Sequence, residues 1–409
     1  MKSAAIIAEY NPFHNGHEYM IKKARELIGA DIIIILMSGN FVQRGAPAVC
    51  DKYLRTRMAL SCGADIVFEL PVKYALSNAE QFADGGVRLL CSLKGVDFLC
   101  FGSECGDITA LTALSETIEE FSHSEPFKND LTQKIKNGMS YPAAFCETAL
   151  TFAGEDSNLL RSPNNLLGLE YLRALLRLKK EKNFCSMPYP ITIKREGDSY
   201  TETVISAMPS ATAVRNELLT GMTGITNAVP EKVLKLLSAE SGKTFPVTED
   251  DFNDILFCKL NCTSDNDLLK IPDANPDLIR KLIGFRRKKI SISELIPMLK
   301  SKCFTYTAIS RTLFKIILEP YYSNAVNCSF KHSKPYLRLL GFKKEASSFL
   351  RSLRYSETCS VITKPSDADL SDPSYMLDIY ASGLYCQVYS NKYRTGFTEE
   401  LKTGPVIMD

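Results

Sequence analysis

The opening stretch of the chain constrains the fold most. Ala4 to Glu9 is a short apolar run that reads as a buried strand, and Asn11-Pro12 ends it. From Gly16 the positions Met20, Ile21, Ala24, Leu27 and Ile28 recur at the spacing of an amphipathic helix. Between the two lies His14-Asn15-Gly16-His17, so two of the chain's four histidines occupy one strand-to-helix turn. In an open parallel sheet such a turn is where ligands bind, and the N–H groups and positive dipole end of the helix attract a phosphate. Gly16 carries no side chain to hold a phosphate off, and His14 and His17 are placed to donate hydrogen bonds to charge developing on it. Taken alone, the same four residues also suit two half-buried histidines at a helix start.

Further along, apolar runs and helical patterns alternate. Asp31 to Met37 is apolar without interruption, as a strand buried on both faces must be. A helix follows from about Asp51 to Ser61, then a strand from Asp65 to Leu70, a helix from Ser77 to Leu90, and a strand from Val96 to Phe101 that runs into Gly102-Ser103-Glu104. The alternation predicts an α/β, doubly wound parallel sheet whose strand ends converge on one crevice. Asp107 to Leu160 reads as helices, Ser162-Pro-Asn-Asn165 as the start of another, Pro190 to Arg195 as a fifth strand, and Ser206 to Ser210 as the lead into a helix over Ala211 to Leu219. Gly221 to Thr248 is looser, and the expected division falls there: a catalytic domain over 1–225 and a mainly helical basic region over 226–409. The latter is expected to be helical to about Leu353, with β-prone runs at Ser360 to Thr363 and Tyr385 to Tyr389.

Neither GxxxxGK[ST] nor GxGxxG occurs, so any nucleotide must be held through the histidine turn. The 13 cysteines are scattered, mostly inside apolar runs. Cys258 and Cys262 form the nearest thing to a ligand pair, with no histidine beside them, so no metal site is expected. No run reaches ~20 apolar residues and no signal peptide is apparent, which predicts a cytoplasmic protein without membrane contact.

The string Glu9-Tyr-Asn-Pro-Phe-His-Asn-Gly-His17, followed by Ser38-Gly-Asn-Phe-Val-Gln-Arg-Gly45, resembles the bacterial tRNA(Met) cytidine acetate ligases. These sit within the HxGH nucleotidyltransferase-like (HUP-like) group. The resemblance is dense over the first half and thinner beyond. It implies that the whole turn, Ile7, Ala8, Glu9, Tyr10, Asn11, Pro12, Phe13, His14, Asn15, Gly16, His17, Glu18, Tyr19 and Met20, surrounds ATP. Gly102, Arg195 and one of Asn164 or Asn165 would join it, with the preference on Asn165. Ser210-Ala-Thr-Ala-Val-Arg215 resembles the hydroxyl-and-arginine motif placed opposite HxGH, which makes Thr212 and Arg215 partners of His14 and His17 in catalysis. On the residues alone each has a plainer use: Gly102 in a turn, Ser162 and Ser210 as helix caps, Lys194-Arg195 as a solvated pair. The Ser38 to Gly45 loop would close over the acyl group or order around ATP.

From Pro276 to Ser360, 17 Lys plus Arg stand against 5 Asp plus Glu, although the whole chain carries only +2. Arg286, Arg287, Lys288, Lys289, Arg311, Lys315, Lys331, Lys334, Arg338, Lys343, Lys344, Arg351 and Arg354 alternate with Phe285, Tyr306, Phe314, Tyr336 and Phe342, the mixture that phosphate contact and base stacking require. Arg286, Arg287, Lys288, Lys289, Arg311, Lys343 and Lys344 are the expected RNA contacts. Ala308 stands where the family's basic helix would carry another cation. The resemblance implies that acetate attacks ATP, with Mg²⁺ on the phosphates. Acetyl-adenylate then passes its acetyl group to the wobble cytidine of elongator tRNA(Met), with no protein partner implied. A nucleotidyl transferase acting on a small phosphate ester and a non-catalytic RNA-binding module are the alternatives.

Overall fold

The computed structural model describes residues 1–181, 184–195, 210–221, 224–328, 335–355 and 359–409. The expected lead over Ser206 to Ser210, except Ser210 itself, and the basic residues Lys331 and Lys334 lie outside them.

Five parallel strands form the expected sheet: β1 (Ser3–Ala8), β2 (Ile32–Ser38), β3 (Ile66–Leu70), β4 (Phe98–Ser103) and β5 (Tyr189–Lys194). Their order is β3-β2-β1-β4-β5, with the crossover at β1, where ligands bind in doubly wound folds. Alternate side chains of β2 serve opposite faces. Ile32, Ile34 and Leu36 enter one apolar cluster, and Ile33, Ile35 and Met37 enter the other. The first cluster is covered by α3 (Ala79–Cys91) and α4 (Pro163–Lys180), the second by α1 (Asn15–Ile28), α2 (Lys52–Ser61) and α5 (Ala211–Thr220).

The sheet does not stop where the first half of the sequence does. β6 (Tyr336–Lys343) pairs antiparallel with β3, and β7 (Ser360–Ile362) and β8 (Val406–Met408) pair parallel with β6, so the helical expectation up to Leu353 fails over this stretch. The reading missed it because Tyr336-Leu-Arg-Leu-Leu is continuously buried and shows neither helical nor two-residue periodicity. Tyr385 to Tyr389 lies instead inside the long helix Pro373–Tyr393, where Tyr385, Val388 and Tyr389 face a third apolar cluster. The stretch after residue 224 is not loose either. Ile225, Ala228, Val233, Leu237 and Phe245 pack into the core around α1 and α2.

The third cluster holds the helical body. Helices such as Pro276–Ile283, Ile292–Leu299 and α6 (Tyr306–Ile317) pack around Phe41, Val72 and Leu76, which follow the C-terminal ends of β2 and β3. The helical body therefore sits on the same edge of the sheet as the turn carrying His14 and His17.

Candidate active site

β1 delivers the chain to Tyr10, whose φ of 49° turns it sharply, and His14 becomes the N-cap of α1. The two histidines cap the helix reciprocally. Gly16 N–H donates to His14 Nδ1 at 3.1 Å, and His14 N–H donates to His17 Nδ1 at 3.1 Å. Their rings stack with centroids 3.7 Å apart, and Tyr10 meets His17 edge-on at 4.7 Å. Because both Nδ1 atoms accept, the neutral tautomer of each ring carries its proton on Nε2. Both rings are held neutral. Burial, then Arg195 and Arg215, brings His14 down to about 3, and burial, then His14 and Arg195, holds His17 well below its ordinary value. The turn thus offers two uncharged N–H donors beside the open N-terminus of α1.

Across the crevice stands the N-terminus of α5, capped by Ser210 Oγ, which accepts from Ala213 N–H at 3.2 Å. Arg215 Nη1 donates to Asn11 O at 2.7 Å, joining the two turns, and its Nη2 donates to Thr212 Oγ1 at 3.1 Å. Arg195 Nη1 donates to Asn164 Oδ1 at 3.0 Å. A Cβ on Gly102 would stand 3.2 Å from Arg195 Cγ, so glycine there leaves room for the arginine stem.

The expected residues separate into those that line the crevice and those that build it. Ile7, Ala8, Glu9, Tyr10, Asn11, His14, Gly16, His17, Tyr19, Met20, Gly102, Asn164 and Arg195 line its two connected lobes. Phe13 and Pro12 are buried behind the turn, Asn15 is bonded to Asn227 O at 2.8 Å and Ala228 O at 3.1 Å, and Glu18 pairs with Lys22 at 3.0 Å. The preference for Asn165 reverses. Its buried amide oxygen accepts from Glu104 N–H at 2.9 Å and Cys105 N–H at 3.2 Å, while Asn164 faces the crevice. Adjacent asparagines in the first turn of α4 are indistinguishable until the helix phase is known. Phe101, Leu167, Tyr171 and Ile193 supply an apolar wall not singled out from the sequence, where they read as ordinary core positions.

The Ser38 to Gly45 segment is a small hairpin, Phe41–Val42 against Ala46–Pro47, and its Gln43 and Arg44 line the second lobe. Phe41 is fully buried against Phe252, Phe314 and Tyr385.

The basic stretch divides as well. Arg287, Lys288 and Lys289 are exposed on the helical body, with the Lys288 ammonium 4.5 Å from the Phe285 ring centre. Arg286 is tied to Asp265 at 2.8 Å. Arg311 does not face solvent freely: Nη1 donates to Gln43 O at 3.1 Å. Lys315 and Arg338 are buried, paired with the exposed Asp273 and the buried Glu400, and Phe314 and Tyr336 belong to the core, so part of the interleaving is amphipathic packing. Lys343 pairs with Asp65 at 3.6 Å, at the start of β3, and Lys344 pairs with Asp409. Both stand at the sheet edge opposite the crevice, because β6 runs antiparallel to β3.

Among the described residues no group of three or more His, Cys, Asp or Glu side chains could hold a metal ion, and no helix is long and apolar enough to cross a membrane.

The chain is similar to known proteins over its whole length. A family profile described as HIGH Nucleotidyl Transferase matches residues 1–400. The tRNA(Met) cytidine acetate ligase of Clostridium kluyveri is 36% identical over 422 residues, and that of Acetivibrio thermocellus 32% over 423, each covering 100% of both chains. Crystal structures of Thermotoga maritima TmcAL superpose over 100% of both chains. The apo form has a TM-score of 0.85 at 27% identity, and the form bound with alpha-thio ATP has 0.84 at 28%.

Proposed function

Because the chain belongs to the HIGH nucleotidyl transferases and, at full length, to their tRNA(Met) cytidine acetate ligases, we propose that it joins acetate to a tRNA cytidine at the expense of ATP. The observation that carries the reading is the stacked pair His14 and His17 at the mouth of α1, which line one crevice with Arg195, while Arg215 stands close enough to His14 to keep its ring neutral. ATP enters with its base and ribose along Gly102, Asn164 and the apolar wall. Its α-phosphate lies at the α1 N-terminus, and its β and γ phosphates lie toward Thr212 and Arg215. An acetate oxygen attacks the α-phosphorus, the bond to the bridging oxygen breaks, and pyrophosphate leaves with that electron pair.

The protein's part is positioning and charge stabilisation. The two Nε2–H donors hold the α-phosphate oxygens without carrying charge of their own, and the arginines meet the charge that builds on the leaving group. In the second step the exocyclic N4 of the wobble cytidine attacks the acetyl carbon, and AMP departs. Mg²⁺, when bound, would sit on phosphate oxygens and neutralise part of their charge, because the crevice is lined mainly by cationic and neutral groups.

The tRNA docks through the helical body, with Arg287, Lys288 and Lys289 at its outer surface and Arg286 holding that segment in place. Lys343 and Lys344 are outside this surface by their position. The deciding measurement is pyrophosphate release from ATP with acetate, with and without bulk bacterial tRNA, followed by nucleoside mass analysis. N4-acetylcytidine that forms only when all three are present is expected. Pyrophosphate without acetate, or with a small phosphate ester in its place, would mean a nucleotidyl transferase. Binding of tRNA without turnover would mean an RNA-binding module.

A further inference from the structure

The hairpin Phe41–Pro47 places a third guanidinium at the phosphate end of the crevice. Arg44 Nη1 donates to Thr212 Oγ1 at 3.1 Å, the same oxygen that accepts from Arg215 Nη2 at 3.1 Å. A hydroxyl oxygen has two lone pairs and one proton. With both lone pairs taken by cations, the Thr212 proton is left to be donated. Arg44, Ser210 and Ala211 line the same lobe of the crevice as His14 and His17.

The hairpin is held from three sides. Gln43 N–H donates to Glu9 Oε1 at 2.9 Å, and Arg55 Nη1 donates to Ser38 O at 3.0 Å and to Glu9 O at 2.7 Å. From the helical body, Arg311 Nη1 reaches Gln43 O at 3.1 Å and Ser310 Oγ donates to Gly45 O. Gly45 has φ +81°, and a Cβ there would stand 2.2 Å from Arg311 N, so the hairpin and α6 are in backbone contact. An arginine on so constrained a support loses little freedom when it binds an anion.

We propose that Arg44 is a substrate-contacting residue that, together with Thr212 and Arg215, binds the β and γ phosphates of ATP and stabilises the departing pyrophosphate. The assignment rests on the ligase reading for the leaving group, but its core is a binding statement about a polyphosphate. Acetate is the other anion a guanidinium at this place would hold, and the test separates the two.

Full-length wild type, Arg44→Ala and Arg44→Lys are compared in calorimetric binding of α,β-methylene-ATP and of AMP, and in acetate-dependent ATP–pyrophosphate exchange. Loss of one charge-assisted contact corresponds to about 10- to 100-fold in affinity. Arg44→Ala should therefore weaken α,β-methylene-ATP by about that factor and change AMP by less than about threefold. It should raise the KM for ATP and leave the KM for acetate nearly unchanged. Arg44→Lys should recover part of the loss, and it carries the test if the alanine variant does not fold. Equal weakening of the ATP analogue and AMP, unchanged binding of both, or a change confined to acetate would overturn the proposal. Absence of acetate-dependent exchange in the wild type would instead overturn the ligase reading, while the two binding arms would still decide for or against Arg44.

Discussion

At the scale of single residues, the proposed chemistry rests on two uncharged donors, His14 and His17, at the phosphate undergoing attack. His14→Ala or His17→Ala should lower acetate-dependent pyrophosphate release by about 100- to 1,000-fold, the usual cost of one preorganised donor, and leave tRNA binding intact. A variant that loses both activities equally would point to a collapsed fold. The same pair makes stability depend on acid. The folded His14 resists protonation down to about 3, and His17 is likewise depressed, whereas the unfolded chain takes up protons near 6.5. The unfolded state thus binds more protons below that value, so this contribution is present above pH 6.5 and is lost as pH falls toward 3. The denaturant midpoint should drop between pH 7 and 5. His14→Asn, which can still cap α1, should make that drop shallower.

At the scale of elements, the hairpin and the buried ion cluster beneath it join the two halves of the chain. Lys52 Nζ stands 2.7 Å from Glu69 Oε2 and 2.9 Å from Glu400 Oε1, and Arg338 Nη2 reaches Glu400 Oε1 at 3.1 Å. Burial alone would lower the Lys52 ammonium, yet Glu400 and Glu69 hold it above its ordinary value. Lys52→Met would strand the buried Glu69 carboxylate and leave Glu400 to Arg338 alone, and should cost about 3–5 kcal/mol in a denaturation experiment. Gly45→Ala should cost about 1–3 kcal/mol from the left-handed backbone alone, with the clash against α6 in addition. It should also raise the KM for ATP, since Arg44 moves with the hairpin. A stable Gly45→Ala protein with unchanged kinetics would refute the coupling.

At the scale of the whole molecule, the helical body and the crevice share one edge of the sheet, so a bound tRNA and the adenylate can meet. Charge reversal at Arg287 and Lys289 should weaken tRNA binding and leave acetate-dependent ATP–pyrophosphate exchange intact, read by filter binding and by exchange. Lys344→Glu, on the opposite edge, should alter neither. Arg286 is a poor test residue, because removing it also leaves Asp265 without its ion pair. The first half's βα alternation was legible because each element there is continuous in sequence and carries its own periodicity. β6 was not, since Tyr336 to Gly341 are buried on both faces only after the chain returns to β3.

What the sequence determined by itself was local. The strand-turn-helix at His14 to His17, the capped start of α5 at Ser210, and the glycines that leave space for neighbouring atoms are set by backbone preference and residue type over a few positions. What only the tertiary structure decided was which cations are available. Arg311, Lys315, Arg338, Lys343 and Lys344 look alike in the sequence, yet each is committed to a carbonyl or a carboxylate brought in from a distant segment. Arg44 is the converse case, since its loop stood out in the sequence but its position beside Thr212, 168 residues along the chain, comes from the packing of α5 and α6 around the hairpin. Charge type is a property of the residue, whereas a charge's partner is a property of the fold, because ion pairs and hydrogen bonds depend on distance in space and not along the chain.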